Sequence, residues 1–343
     1  MDFYLIFLLI FQNKDFLIIL FDLFLFKNLV LSVLMKFNVN SYHFKLLRDY
    51  ERLSAFKEAI DDYAKDSESK NCDSLGNSKV AFDLGCGSGV LSYFAKDYFD
   101  KIIAIELNNS TYGLAKENLK DFENIQVFNE DILSFDFDSL DETVDLIICE
   151  MLDTALIDEE EVPVLNQAKK YLKEDGKIIP QSIINSAEAV FMNNHFLQYE
   201  DDEYSPVYLV LGESAVYSEF NFLDDINPDF SCIIDLKIFN ENQLKGSEFF
   251  DKISQDDFKK FNLMDNFNIK ENKLKINGIK LTSFTKLNEN IICGPTPMLN
   301  PSMLIPIEES EIEFGDTIRI RLEYVMGEGV ETIKTEILEI IHD

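Results

Sequence analysis

The residues best suited to chemistry sit in one stretch, Val80-Ala81-Phe82-Asp83-Leu84-Gly85-Cys86-Gly87-Ser88-Gly89-Val90-Leu91. An apolar run with Val80, Phe82 and Leu84 enters a turn carrying three glycines, and a helix pattern begins at Val90. Glycine alone takes positive φ at no steric cost and lets backbone approach a ligand closely. Some 20 residues on, Ile102-Ile103-Ala104-Ile105 reads as a second strand ending in Glu106, whose carboxylate can accept two hydrogen bonds from a ribose. Together the turn and the carboxylate predict a site for a nucleoside cofactor.

Glycine spacing separates the cofactors. The dinucleotide fingerprint places its third glycine three residues after the second, a position held here by Val90. The actual pattern, Asp83-x-Gly85-x-Gly87-x-Gly89, resembles that of class I S-adenosylmethionine-dependent methyltransferases. The resemblance implies S-adenosyl-L-methionine as cofactor, held by Asp83, Gly85, Cys86, Gly87, Gly89, Glu106 and Leu107. Further on, Asn124-Ile125-Gln126-Val127-Phe128 reads as a third strand leading to Asn129-Glu130-Asp131-Ile132. In such enzymes an acid here accepts the adenine amino group and the next residue packs on the ring, which implies Asp131 and Ile132; a plain acidic loop is the alternative.

Two further segments narrow the resemblance to protein arginine methyltransferases. Ser41 to Phe56, then Ala59-Ile60, carries apolar residues at helical spacing, so one or two amphipathic helices precede the first strand. An arginine at the place of Arg52 binds the cofactor carboxylate in that family, a task for a planar bidentate fork; an ion pair with Asp49 or Glu51 is the plainer reading. A fourth strand, Val144 to Ile148, opens into Cys149-Glu150-Met151-Leu152-Asp153 and on to Asp158-Glu159-Glu160-Glu161. Ligands of open α/β sheets bind beyond the carboxyl ends of strands, which aims Glu150 at an active site. The family has two glutamates nine residues apart here, and Glu150 and Glu159 keep that spacing. As a catalytic pair they would clamp a guanidinium and stabilise charge on it, with Glu150 also beside the cofactor. Glu159 equally suits the acidic first turn of a helix, and Glu160 or Glu161 could be the second acid.

The resemblance has limits. It covers residues 41 to about 190 well and the remainder in outline. The family's barrel contributes a Thr-His-Trp loop, whereas this chain has no tryptophan and its three histidines are His43, His195 and His342. Asp49 stands where an acid usually pairs with that loop's histidine. Cys149 replaces a serine, and Met151-Leu152-Asp153 replaces an aromatic-methionine-glycine run.

The elements that must position these residues form an α/β chain. A Rossmann-like class I methyltransferase domain is expected at 36–180 and a β-rich, barrel-like substrate or dimerisation domain at 181–343. Leu165 to Leu172 reads as a helix ended by Asp175-Gly176, and 66–79 as a solvated linker. Strand signals run over Ile183 to Val190, Val207 to Leu211, Cys232 to Ile238 and Lys273 to Phe284. Ile318 to Tyr324 alternates with period two and turns at Gly327-Glu328-Gly329 into Thr332 to Ile341, a hairpin. The acidic, Phe-rich stretch 220–272 is either a dimerisation insertion or a loop-rich cap. Pro295-Thr296-Pro297 and Pro301 mark a rigid crossing.

Residues 1–35 are a hydrophobic extension of Phe, Leu, Ile and Val with scattered polar breaks. Phe16 to Leu34 has the length of a membrane span, but Asp22 and Lys27 each cost roughly 2.5–3.5 kcal/mol near its centre. A basic n-region and a small-residue cleavage site, the marks of a signal peptide, are not visible. The composition break at Met35 favours a start there, so membrane contact hangs on whether the extension is expressed.

Among the 343 residues, 63 acids against 31 bases give a net charge of -32. Phosphate contacts by Lys and Arg drive nucleic-acid binding, so this balance disfavours nucleic acid and suits a basic protein partner. Five scattered cysteines, with no C-x-x-C pair, fit a reduced cytoplasm and argue against zinc. The expected function is methyl transfer to a protein side chain, of the arginine type. An RNA methyltransferase and a non-catalytic cofactor-binding assembly or regulatory protein are the rivals, and a homodimer is an open expectation.

Overall fold

The computed structural model describes residues 37–70, 78–201, 205–240, 242–243 and 273–342. The expectations for residues 1–35, and for most of the later part of 220–272, lie outside the described residues. By contact the chain divides into two compact units, residues 1–132 and 133–343.

The first unit begins with two helices, α1 (Ser41–Arg48) and α2 (Tyr50–Lys70). Asn40 caps α1, its side chain accepting the His43 N–H at 2.8 Å. α2 runs through 66–70, the start of the stretch 66–79 expected to be a linker, of which 71–77 lie outside the described residues. β1 (Val80–Leu84), α3 (Val90–Ala95), β2 (Lys101–Ile105), α4 (Asn109–Leu119) and β3 (Ile125–Phe128) follow. β1 is buried at all five positions, as expected of a parallel strand covered on both faces. It pairs parallel with β2, and β2 with β3.

The second unit opens with β4 (Val144–Cys149), α5 (Glu161–Ala168) and β5 (Leu172–Ile179), with β4 and β5 parallel. The five parallel-sheet strands are ordered β3-β2-β1-β4-β5, the Rossmann-like sheet expected. α5 ends at Ala168, a 3₁₀ turn occupies Lys169–Tyr171, and Asp175-Gly176 lies inside β5. The expectation that Asp175-Gly176 stops a helix is therefore corrected: the helix has already ended at Ala168, and the two residues fall in the register shift of β5 between Leu172 and Lys177.

The rest of this unit is antiparallel. One sheet runs β7 (Gln198–Tyr199), β13 (Met303–Glu313), β11 (Lys273–Lys286), β6 (Ser182–Met192) and β8 (Tyr208–Val210), with β12 (Ile292–Cys293) on β11 and β9 (Ala215–Asn221) on β6. A second sheet is β10 (Asp229–Lys237), β14 (Thr317–Val325) and β15 (Lys334–Ile341). β14 alternates buried and half-buried residues with period two, and β14–β15 is the predicted hairpin. β9 and β13 carried no strand signal in the sequence reading, since acids and Pro306 break the apolar pattern of β13. No described helix is long and apolar enough to cross a membrane.

Candidate active site

In the first unit the turn after β1 has Gly85, Gly87 and Gly89 at φ 70°, 54° and 83°. A Cβ at Gly87 would come within 2.8 Å of His43 Nε2, and one at Gly89 within 2.5 Å of Leu119 Cδ1. Glycine at these positions lets His43 of α1 and Leu119 of α4 pack directly on the turn. Cys86 N–H donates to the Ile105 carbonyl at 2.9 Å, fastening the turn to β2. Asp83 lies buried beneath it, its Oδ2 accepting from Ser92 N–H at 2.9 Å and Ser92 Oγ at 2.5 Å. Asp83 thus joins β1 to the first turn of α3. Burial, then the charges of Asp83 and Glu106, push the Cys86 thiol well above its ordinary range and keep it protonated.

Glu106 stands at the end of β2 with Oε2 accepting from Gly87 N–H at 3.0 Å and Oε1 from Asn108 N–H at 2.7 Å. Leu107 beside it is exposed. The Asn129 amide donates to the Glu106 and Leu107 carbonyls, both at 2.9 Å, and ties the residue after β3 to the end of β2. Asp131 is exposed and Ile132 buried. From α2, Arg52 is buried, with its guanidinium 5.7 Å from the Phe56 ring centroid. Asp49 accepts the Arg52 N–H at 3.1 Å. His43 has Nδ1 2.9 Å from Asn40 Oδ1, and burial followed by the charge of Arg52 lowers its pKa, favouring the neutral ring.

The second unit holds the acids. Glu150, half-buried, follows β4, and the chain then folds back on itself at Ala155 and Leu156, which take φ 62° and 63°. Such values cost a non-glycine residue about 1–2 kcal/mol each. Surrounding bonds hold them: Ala155 N–H donates to Ser283 Oγ at 2.9 Å, Ser283 Oγ donates to Asn185 Oδ1 at 2.6 Å, and Thr154 Oγ1 donates to the Pro301 carbonyl at 2.7 Å. The β14–β15 turn closes over the same segment, Gly327 N–H reaching the Leu156 and Ile157 carbonyls at 3.1 Å.

Within the loop, Asp153 Oδ2 accepts from Ile157 N–H at 3.1 Å and Asp158 N–H at 2.8 Å, and its Oδ1 accepts from Glu159 N–H at 3.3 Å. Glu161, fully buried at the start of α5, accepts Met151 N–H on Oε2 at 2.9 Å. Glu159 and Glu160 are exposed. Burial pushes Asp153 up to about 7 and Glu161 up to about 8. Partial desolvation of its carboxylate, then the Glu150 charge, raises Glu159 as well, although the residue as a whole is exposed.

A methyltransferase domain family matches residues 81–176, from β1 to within β5. An uncharacterized protein of Methanothermobacter thermautotrophicus is 37% identical over 306 residues, 89% of this chain and 100% of that protein. The chain belongs to the class I S-adenosylmethionine-dependent methyltransferases. Similarity to the arginine-specific branch covers less: the histone-arginine methyltransferase CARMER of Anopheles gambiae is 33% identical over 140 residues, 39% of this chain and 20% of that one. In structure, the Trypanosoma brucei PRMT1 enzyme-prozyme heterotetrameric complex with AdoHcy aligns with TM-score 0.59 at 16% identity, covering 88% of this chain and 99% of that chain. The methyltransferase thus shares that fold, a parallel sheet followed by antiparallel sheets.

S-Adenosylmethionine is the cofactor, and the methyltransferase offers it a fitting cradle. All three glycines take left-handed φ, which bares the backbone of the turn, and Glu106 is anchored beside it through the Gly87 N–H. Of the expected residues, the first unit brings together the glycine turn, Cys86 and Glu106, with Asp83 underneath. The second unit gathers Glu150, Glu159 and Glu161 around one loop. Sequence reasoning passed over His43, which rests on Gly87, and Asp153, which looked only like a departure from a pattern. Ser283 carried no signal, being a lone serine in a strand 128 residues from its partner.

Proposed function

We propose that this methyltransferase transfers methyl groups to arginine side chains of a basic protein. The observation that carries the proposal is the loop after β4, which presents Glu150 half-buried at a strand end and Glu159 at nine residues' distance on a braced backbone. Two carboxylates suit a guanidinium, which donates in a planar fork. The reading is supported by the similarity to CARMER over 140 residues and by the net charge of -32, which draws in cations.

When bound, S-adenosylmethionine supplies an electrophilic methyl group. On the cofactor side, Gly85, Gly87 and Gly89 admit the ligand to the backbone, Glu106 accepts the ribose hydroxyls, and Arg52 pairs with the carboxylate. Asp131 receives the adenine amino group against Ile132. Glu150 and Glu159 orient the acceptor nitrogen and offset its positive charge, so rate comes chiefly from positioning. Glu159, with its raised pKa, takes the proton that the acceptor nitrogen gives up.

We read residues 36–180 as the catalytic domain and 181–343 as the β-rich partner domain, place the enzyme in the cytoplasm, and expect a homodimer, checked by sedimentation. Incubating the protein with labelled cofactor and cell extract, then with protease or nuclease, tests the acceptor. Protease-sensitive label that resolves into methylarginines is the expected result. Nuclease-sensitive label, or label on another side chain, overturns the arginine reading.

A further inference from the structure

We infer that Asp153 and Glu161 are positioning residues that brace the acidic loop in opposite directions, each carboxylate pinning the peptide beside one acceptor-binding glutamate. The inference rests on the reading of Glu150 and Glu159 proposed above and adds what holds them in place.

Asp153 lies three residues after Glu150, yet its Oδ1 binds the N–H of Glu159 at the far end of the loop. Glu161 lies two residues after Glu159, yet its Oε2 binds the N–H of Met151, the residue that follows Glu150. Each end of the loop is therefore fastened by an acid from the other end. The back-fold at Ala155 and Leu156 makes the crossing possible, and Ser283 and Gly327 hold it from outside the loop.

Glu161 shows that this arrangement is more than a convenient fold. It has 0% exposure, and its Oε1 has no hydrogen-bond partner. Burying a carboxyl group with one oxygen unused is costly, and an apolar residue would fill the space at lower cost. The charges of Glu150 and Glu159 raise that cost further, and the Cys149 thiol offsets only part of it. What the protein obtains is a fixed peptide at Met151. Asp153 differs in using both oxygens, across three consecutive N–H groups.

This difference gives an asymmetric test. Glu161→Gln keeps one acceptor oxygen and should retain wild-type loop behaviour, whereas Glu161→Ala should not. Asp153→Asn must turn its amide nitrogen toward one donor, so the bond to Glu159 should fail as it does in Asp153→Ala. Amide hydrogen exchange reads the bonds directly: roughly 10-fold faster exchange at Met151 in Glu161→Ala, and at Glu159 in both Asp153 variants, is expected. With a glycine-arginine repeat peptide and labelled cofactor, those three variants should lose about 10- to 100-fold in kcat. Their cofactor Kd, measured by calorimetry, should stay within about twofold.

Unchanged exchange at both amides in the alanine variants would overturn the inference. So would faster exchange with unchanged peptide kinetics, since the acids would then serve the fold alone. A wild-type protein that leaves the peptide unmethylated defeats the arginine reading instead, and the exchange data still decide whether the two straps exist.

Discussion

The glycine turn of the first unit and the acidic loop of the second each follow a parallel β-strand, but they hold their shapes by different means. The turn uses glycine wherever φ is positive, at 70°, 54° and 83°. The loop takes φ 62° and 63° with Ala155 and Leu156 and offsets the strain with bonds from Ser283, Pro301 and Gly327, more than a hundred residues away in sequence. A site shaped by local conformational freedom needs little from the rest of the fold. One shaped against local preference depends on it.

The sharpest way to break this comparison is to separate cofactor binding from transfer. Glu150→Gln should reduce methyl transfer by more than about 100-fold while calorimetry finds the cofactor Kd nearly unchanged; turnover like wild type would remove Glu150 from the acceptor site. A stability comparison comes next. Glu161 has a folded pKa of about 8 against an ordinary 4.5, so between those values the native state holds more protons than the unfolded state. Stability should fall as pH rises through this window and level off above about 8. The full effect is roughly 3–5 kcal/mol at about 1.4 kcal/mol per pKa unit. Glu161→Gln cannot ionise, and denaturant titrations at pH 5 and pH 9 should show most of that slope gone.

Glu106→Ala should lose roughly 1–3 kcal/mol of cofactor binding, about 5- to 150-fold in Kd. An unchanged Kd would remove the ribose assignment. Smaller effects come from exchanging the two conformational strategies. Gly87→Ala places a Cβ against His43 at positive φ and should cost ~1–2 kcal/mol in thermal unfolding. Ala155→Gly relieves similar strain but adds the entropy of glycine, so its net change should stay within ~1 kcal/mol. If Ala155→Gly proves as damaging as Gly87→Ala, backbone strain is not what distinguishes the two sites.

Much of the first site was legible in the sequence because its signals are local. Glycine spacing, an apolar strand and a terminal acid lie within about 25 consecutive residues, and each reports a backbone need that only certain residue types meet. The helices before β1 and the β14–β15 hairpin were legible through periodicity. The turn signal of Asp175-Gly176 marks a register shift within β5 rather than a helix stop, since such residues equally suit a bulge in a strand, and β13 was hidden by its acids and proline.

The cofactor class, the parallel-sheet core and the nine-residue spacing of Glu150 and Glu159 are all written in local sequence. Only the tertiary structure decided what Asp153, Glu161, Ser283 and His43 do. Their roles are contacts with backbone and side chains distant in sequence or across a reversed loop, and residue type carries no record of such a contact. The glycine turn is written in residues that permit a conformation, while the acidic loop is made by neighbours that enforce one.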